Sequence, residues 1–146
     1  MHPFLTEGSD VEGYFLNPDH IAELNPQITA QRVQELVDAA TVTTKEKSIK
    51  VLINIRTEAA IRNRNGGPAH NAGDLAAQAY ADYDADPAKW RRGKIVLQEL
   101  RSLLHHEIKG NAVLLEKSSH LKLPDLAAIK LAIWPPAASA AMGDSV

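Results

Sequence analysis

Residues 43–64 read TTKEKSIKVLINIRTEAAIRNR, and two periods compete in them. Ile49, Val51, Ile53 and Ile55 alternate as a half-buried strand would, but Leu52 breaks the alternation. Ile49, Leu52, Ile53, Ala59 and Ala60 fit one face of a helix, and 57–64 is rich in good helix formers. Thr43 with Glu46 three residues later has the form of a capping box, in which each side chain serves the other's backbone N–H. The spacing predicts one helix over about 44–64, stopped by Asn65-Gly66-Gly67-Pro68.

The flanking sequence agrees with a helical reading. Upstream, Asn17-Pro18 offers an N-cap followed by a proline at the first helical position, and predicts a short turn of helix through Ile21 and Leu24. Asn25-Pro26, or Thr29 just after it, starts a longer helix to about Ala40. With Thr29 as the cap, Ile28 and Val33 stand where a hydrophobic staple would put them, and Val33, Leu36, Val37 and Ala40 form the buried stripe. Downstream, an alanine-rich helix is expected over about 74–83, and Asp86-Pro87 opens the longest helix, about 87–109. Gly93 inside that helix is expected to cost about 1 kcal/mol relative to alanine. Gly110-Asn111 ends it. Residues 112–123 read as irregular chain or a small hairpin. Pro124-Asp125 begins a last helix to Trp134, which Pro135-Pro136 halts.

The fold class expected is therefore mainly α. It is a compact bundle of about five helices over 17–134, with an N-terminal extended arm (1–16) and a disordered C-terminal tail (135–146). The alternative is α+β with a small hairpin near 112–123. Composition agrees: aromatics are only 5% of the 146 residues, so the core must be leucine, isoleucine, valine and alanine, which suits close helix packing. Cysteine is absent, which excludes disulfides, thiolate metal sites and a cysteine nucleophile. The first ten residues lack the pattern of a signal peptide, and no stretch approaches the ~18 apolar residues of a membrane span. A cytoplasmic setting, or a virion if the protein is viral, is the expectation.

A net charge of −2 hides a segregation of sign. Residues 1–43 carry seven acids and one base, 44–67 six bases and two acids, 68–88 four aspartates and no base, and 89–122 eight bases and three acids. Such blocks suit segments that meet one another, copies of the chain that do, or a localised surface for phosphate.

Four sets of residues are candidates for a site. Arg56, Arg62, Arg64, Lys89, Arg91, Arg92 and Lys94 form a basic set that could hold phosphates, with Trp90 or Tyr80 stacking on a base. The plainer reading is a solvated face paired with Asp82, Asp84 and Asp86. In the loop 65–74, Gly66, Gly67, His70 and Asn71 could contact an anion, although neither a GxGxxG pattern nor a P-loop is present. Tyr14, Phe15 and Leu16 make the arm apolar enough to dock, on its own core or on a neighbour. His105-His106-Glu107 lacks the four-residue spacing of a metal-binding helix, and adjacent histidines point about 100° apart, so no metal or other cofactor is expected. Ser118-Ser119-His120 has the residue types of a hydrolase but no strained elbow, and no catalytic residue is assigned.

The leading expectation is a non-catalytic helical interaction or assembly protein, homo-oligomeric, of the kind common among viral and phage structural and accessory proteins. Its partner would be another copy of itself, and no membrane is implied. The alternative is a phosphate-recognising protein that binds nucleic acid or a nucleotide through the basic helices. A small hydrolase in which His70 or His120 meets an acid stands third.

Overall fold

A computed structural model describes residues 10–63 and 71–121. The chain is all-α, and no strand occurs among these residues. A 3₁₀ helix, Val11–Leu16, leads into α1 (Pro18–Leu24), α2 (Ala30–Thr43), α3 (Lys45–Arg62), α4 (Ala72–Ala85), the one-turn α5 (Pro87–Trp90) and α6 (Gly93–Ile108).

The caps explain most boundaries. Asn17 Oδ1 accepts from the Asp19 and His20 amides, with Pro18 at the first helical position of α1. Thr29 Oγ1 accepts from the Arg32 amide, and Ile28 and Val33 are both buried, as the staple requires. Asp86 Oδ1 accepts from the Lys89 amide at the start of α5. Asn25 does not open α2. It closes α1, and its amide makes contacts across the fold instead.

The predicted capping box does not form. Thr43 is the last residue of α2 and Thr44 is the first cap of α3, without a side-chain cap bond. Thr44 Oγ1 instead donates back to the Ala40 carbonyl at 2.7 Å, so one helix runs almost without pause into the next.

The helix expected over 87–109 is two. The chain leaves helical geometry at Arg91 (ψ 146°) and Arg92 (ψ 109°), and α6 begins only at Gly93. Gly93 is therefore a first-turn residue, not an interior one, and its missing side chain has a use. The 3₁₀ segment crosses directly over it, so an added Cβ would overlap the Gly13 nitrogen and Asp10 Oδ1 and lie 2.6 Å from the Glu12 carbonyl carbon. The approach lets Asp10 Oδ1 accept from the Gly93 amide at 2.7 Å, while Oδ2 takes the Lys94 amide at 3.3 Å. Two of the open donors at the start of α6 are thus satisfied from 83 residues away, by a carboxylate that also suits the positive end of the helix dipole.

Two apolar clusters result. The larger joins the 3₁₀ segment, α1, α2, α6 and Leu114, with Leu16, Ile21, Val33, Val37, Val96, Leu100 and Leu104 inside. The smaller holds only Ile49, Leu52, Ala79 and Tyr83, between α3 and α4, with Ile53 and Trp90 at its margin. Ala60 is half-buried and Ala59 exposed, so the predicted stripe of α3 is inward only over its first half.

Lys109 ends α6 in the left-handed region (φ 52°), one residue before the Gly110 expected to turn the chain. Residues 111–121 then run as an irregular strap across α1, in place of the hairpin considered for 112–123. The helix expected from Pro124 to Trp134 and the tail 135–146 lie outside the described residues.

Two glycine exchanges should have opposite signs. Gly93→Ala forces the arm off α6 and is expected to destabilise by about 1–3 kcal/mol, despite alanine's better helix propensity. Lys109→Gly relieves a left-handed backbone and is expected to stabilise by about 0.5–1 kcal/mol. Urea denaturation followed by circular dichroism checks both.

Candidate functional site

The basic residues named from sequence do not share one face. Arg56 Nη2 donates to Asp82 Oδ2 at 2.6 Å, and its guanidinium carbon stands 5.1 Å from the centre of the Trp90 ring. Lys89 Nζ stands over the same ring at 4.9 Å. Trp90 is half-buried between α5 and α3 and is occupied by cations of its own chain, so it is not an open stacking platform. Arg56 Nη1 is buried and has no oxygen partner among the described residues; the ring quadrupole supplies the compensating electrostatics.

Arg91 turns the other way, donating to Thr41 Oγ1 at 3.1 Å. Burial pulls its guanidinium below the ordinary arginine range, opposed by the charge of Asp38. Arg92 pairs with Asp10 at 3.5 Å, and its amide donates to Ser48 Oγ. Arg62 lies exposed beside Glu58, and Lys94 projects from the first turn of α6. Tyr80, the other candidate for stacking, donates its hydroxyl to Glu46 at 2.7 Å.

The charge blocks therefore meet within the chain. Lys45–Asp84 (2.6 Å) and Arg56–Asp82 (2.6 Å) join the basic block of α3 to the acidic block of α4. Arg92–Asp10 joins the acidic arm to the start of α6. Arg32, the one base of the first block, takes Glu35 (2.6 Å) and Glu107 (2.9 Å).

Asn71 is the N-cap of α4, with Oδ1 accepting from the Gly73 amide at 2.9 Å, which accounts for it without a ligand. Arg64, Gly66, Gly67 and His70 lie outside the described residues. Leu16 of the arm is buried in the chain's own core, and Phe15 packs against that core, its ring centroid 5.8 Å from that of His20. Tyr14 is half-buried. Leu16 and Phe15 thus dock on the chain's own core, in place of the neighbour expected of an oligomer arm.

Sequence reading missed the polar seam under the strap. His20 is fully buried. One ring nitrogen, Nε2, lies 2.9 Å from the Leu114 carbonyl oxygen, and Nδ1 lies 2.6 Å from Ser118 Oγ. A carbonyl only accepts, so Nε2 carries a proton, and in the neutral ring Nδ1 accepts from the serine hydroxyl. A serine and a histidine thus meet, but with the imidazole enclosed and held by backbone the pair serves to fasten the strap. Asn25 acts beside it, donating Nδ2 to the Val113 and Ile21 carbonyls (both 2.8 Å) and accepting the Val113 amide (2.9 Å). Glu23 accepts from Ser119 Oγ at 2.7 Å and from the Ser119 amide, with His120 Nε2 3.7 Å away.

No group of three or more histidine, aspartate or glutamate side chains among the described residues is placed to hold a metal ion. No described helix is long and apolar enough to cross a membrane.

What remains open is the outer side of α3. Ile55 is 48% and Ile61 68% exposed. Lys47 and Lys50 are also exposed on α3 and have no partner among the described residues. Val42, at the end of α2, is 75% exposed, near the outward acids Glu35 and Asp38. No protein-family model, curated protein or solved structure matches this chain.

The Ser119 hydroxyl, donating to Glu23, holds that carboxyl below the usual carboxylate range. A depressed folded value contributes stability above the ordinary carboxylate range, and the contribution is lost as pH falls through the depressed value. Acidification should therefore loosen residues 118–120 from α1, and Glu23→Gln should remove that part of the pH dependence. Amide chemical shifts of 118–120, followed through an acid titration, check it.

Proposed function

We propose that this chain is a non-catalytic helical interaction protein that assembles with copies of itself through the outer face of α3. The observation that supports the reading is the state of that face: Ile55 and Ile61 are exposed on a helix whose inner side reaches only a four-residue cluster. Two helices cannot enclose a core, and a second layer is the usual remedy. Lys47 and Lys50 are exposed on the same helix, and Asp19 of α1 and Asp38 of α2 are exposed elsewhere on the molecule. Asp19 and Asp38 of one copy set near Lys47 and Lys50 of another would match in sign.

Of the residues the phosphate-binding alternative would use, Arg56, Lys89, Arg91 and Arg92 have partners within the chain, while Arg62 and Lys94 are exposed. For the hydrolase alternative, His120 does stand beside an acid, Glu23, 3.7 Å away, but on the surface of the molecule.

Light scattering over a range of concentrations tests the proposal. A dimer or larger species at micromolar concentration is expected. The exposed-site double variant Ile55→Asp/Ile61→Asp should weaken association at least about tenfold while keeping its helical circular dichroism. A 15.9 kDa monomer at every concentration would refute the reading.

A further inference from the structure

The exposed side of α6 carries a pocket that the assembly reading does not use. It has a volume of about 490 Å³ and is lined by Arg101, Ser102, His105, His106, Asn111 and Ala112. Its construction follows from helix geometry. Residues four apart lie one above the other, so Arg101 and His105 form one ridge and Ser102 and His106 the next. The left-handed turn at Lys109 brings the chain back, and Asn111 and Ala112 supply another wall.

The lining is chemically one-sided. It offers a guanidinium, two imidazoles, a hydroxyl and an amide, and no carboxylate. The acid nearest in sequence, Glu107, is drawn away to Arg32, with Oε1 2.9 Å and Oε2 3.2 Å from that guanidinium. Arg101 itself has no acidic partner among the described residues. An unpaired guanidinium with imidazole N–H donors at its side is the fork-and-donor arrangement that recognises tetrahedral oxyanions. A metal ion is disfavoured there, because Arg101 would repel it. His105 and His106 stand in the last turn of α6, where the helix dipole favours cations, so the Arg101 guanidinium must outweigh the dipole for an anion to bind.

A second hollow of about 270 Å³ adjoins the first and shares Arg101. Leu97 and Leu115 line it, together with Lys94, Gln98 and one acid, Glu12. Leu115 is 55% exposed. An anion therefore belongs at the histidine end, and an organic body at the leucine end.

We infer that α6 binds a phosphomonoester, with the phosphate against Arg101, His105 and His106 and the attached organic group lying towards Leu97 and Leu115. The two hollows together have the scale of a small-ligand site. Free phosphate and a phosphorylated small molecule share the chemistry of the first hollow, and only the second tells them apart.

Titration of the ¹⁵N-labelled full chain with inorganic phosphate and, separately, with adenosine monophosphate tests the inference. Saturable shifts are expected at residues 101–106 and 111–112, with a dissociation constant in the millimolar range or tighter. Arg101→Gln should weaken binding at least about tenfold, and His106→Gln severalfold. Both positions are exposed, and amide dispersion reports whether each variant is folded. Monophosphate binding several times tighter than phosphate, with added shifts at Leu97 and Leu115, bears out the whole inference. Equal affinities with no shift at the leucines would overturn the assignment of an organic group and leave free phosphate as the ligand. No saturable shift up to about 10 mM, or binding unchanged by Arg101→Gln, would overturn the site itself.

Discussion

The Asp10 carboxylate at the start of α6 is the contact on which the rest of the fold depends. α6 has no side-chain cap of its own, and Asp10 provides one from the far end of the chain. Gly93 permits it, because only a residue without Cβ lets the arm's backbone come so near. With the arm fixed, Leu16 enters the core and Phe15 reaches the His20 ring. With α6 fixed, Val96, Leu100 and Leu104 face α2, and the turn at Lys109 sends the strap across α1, where His20, Asn25 and Glu23 receive it. One partly buried carboxylate thus joins both ends of the described chain to the same helix pair.

The remainder of the molecule is held more lightly. α3 and α4 share a small apolar cluster and two ion pairs, Lys45–Asp84 and Arg56–Asp82, whose acids are well exposed. Exposed pairs contribute little, typically less than about 1 kcal/mol each. The hairpin therefore leans on its few buried residues, on Tyr83 against the end of α2, and on Trp90 under two cations. A thin element with exposed isoleucines on a mostly polar side is what a second copy would complete.

Sequence showed most of the local structure because local chemistry determines it. The caps at Asn17, Thr29 and Asp86 and the stripe of α2 could be read from neighbours within one turn. The sign blocks also carried information, since basic α3 does meet acidic α4. What escaped was decided at a distance. The break at Arg91 and the role of Gly93 depend on an arm 83 residues away, and His20 and Ser118 are 98 residues apart. Thr43 and Glu46 fit a capping box in pattern, but Thr44 found a better acceptor in the Ala40 carbonyl. The basic set was legible as residues and not as a face, because the chain leaves helical geometry at 91–92, and Lys89, Arg91 and Arg92 point to Trp90, Thr41 and Asp10 in turn.

Amide hydrogen exchange at two protein concentrations tests most directly whether α3 is closed by a second copy. The account predicts that amides of α2 and α6 exchange slowly at both concentrations, while those of α3 from Val51 to Ile61 exchange fast when dilute and slow down when concentrated. Protection of α3 that equals that of α2 and α6 and does not change with concentration would contradict it.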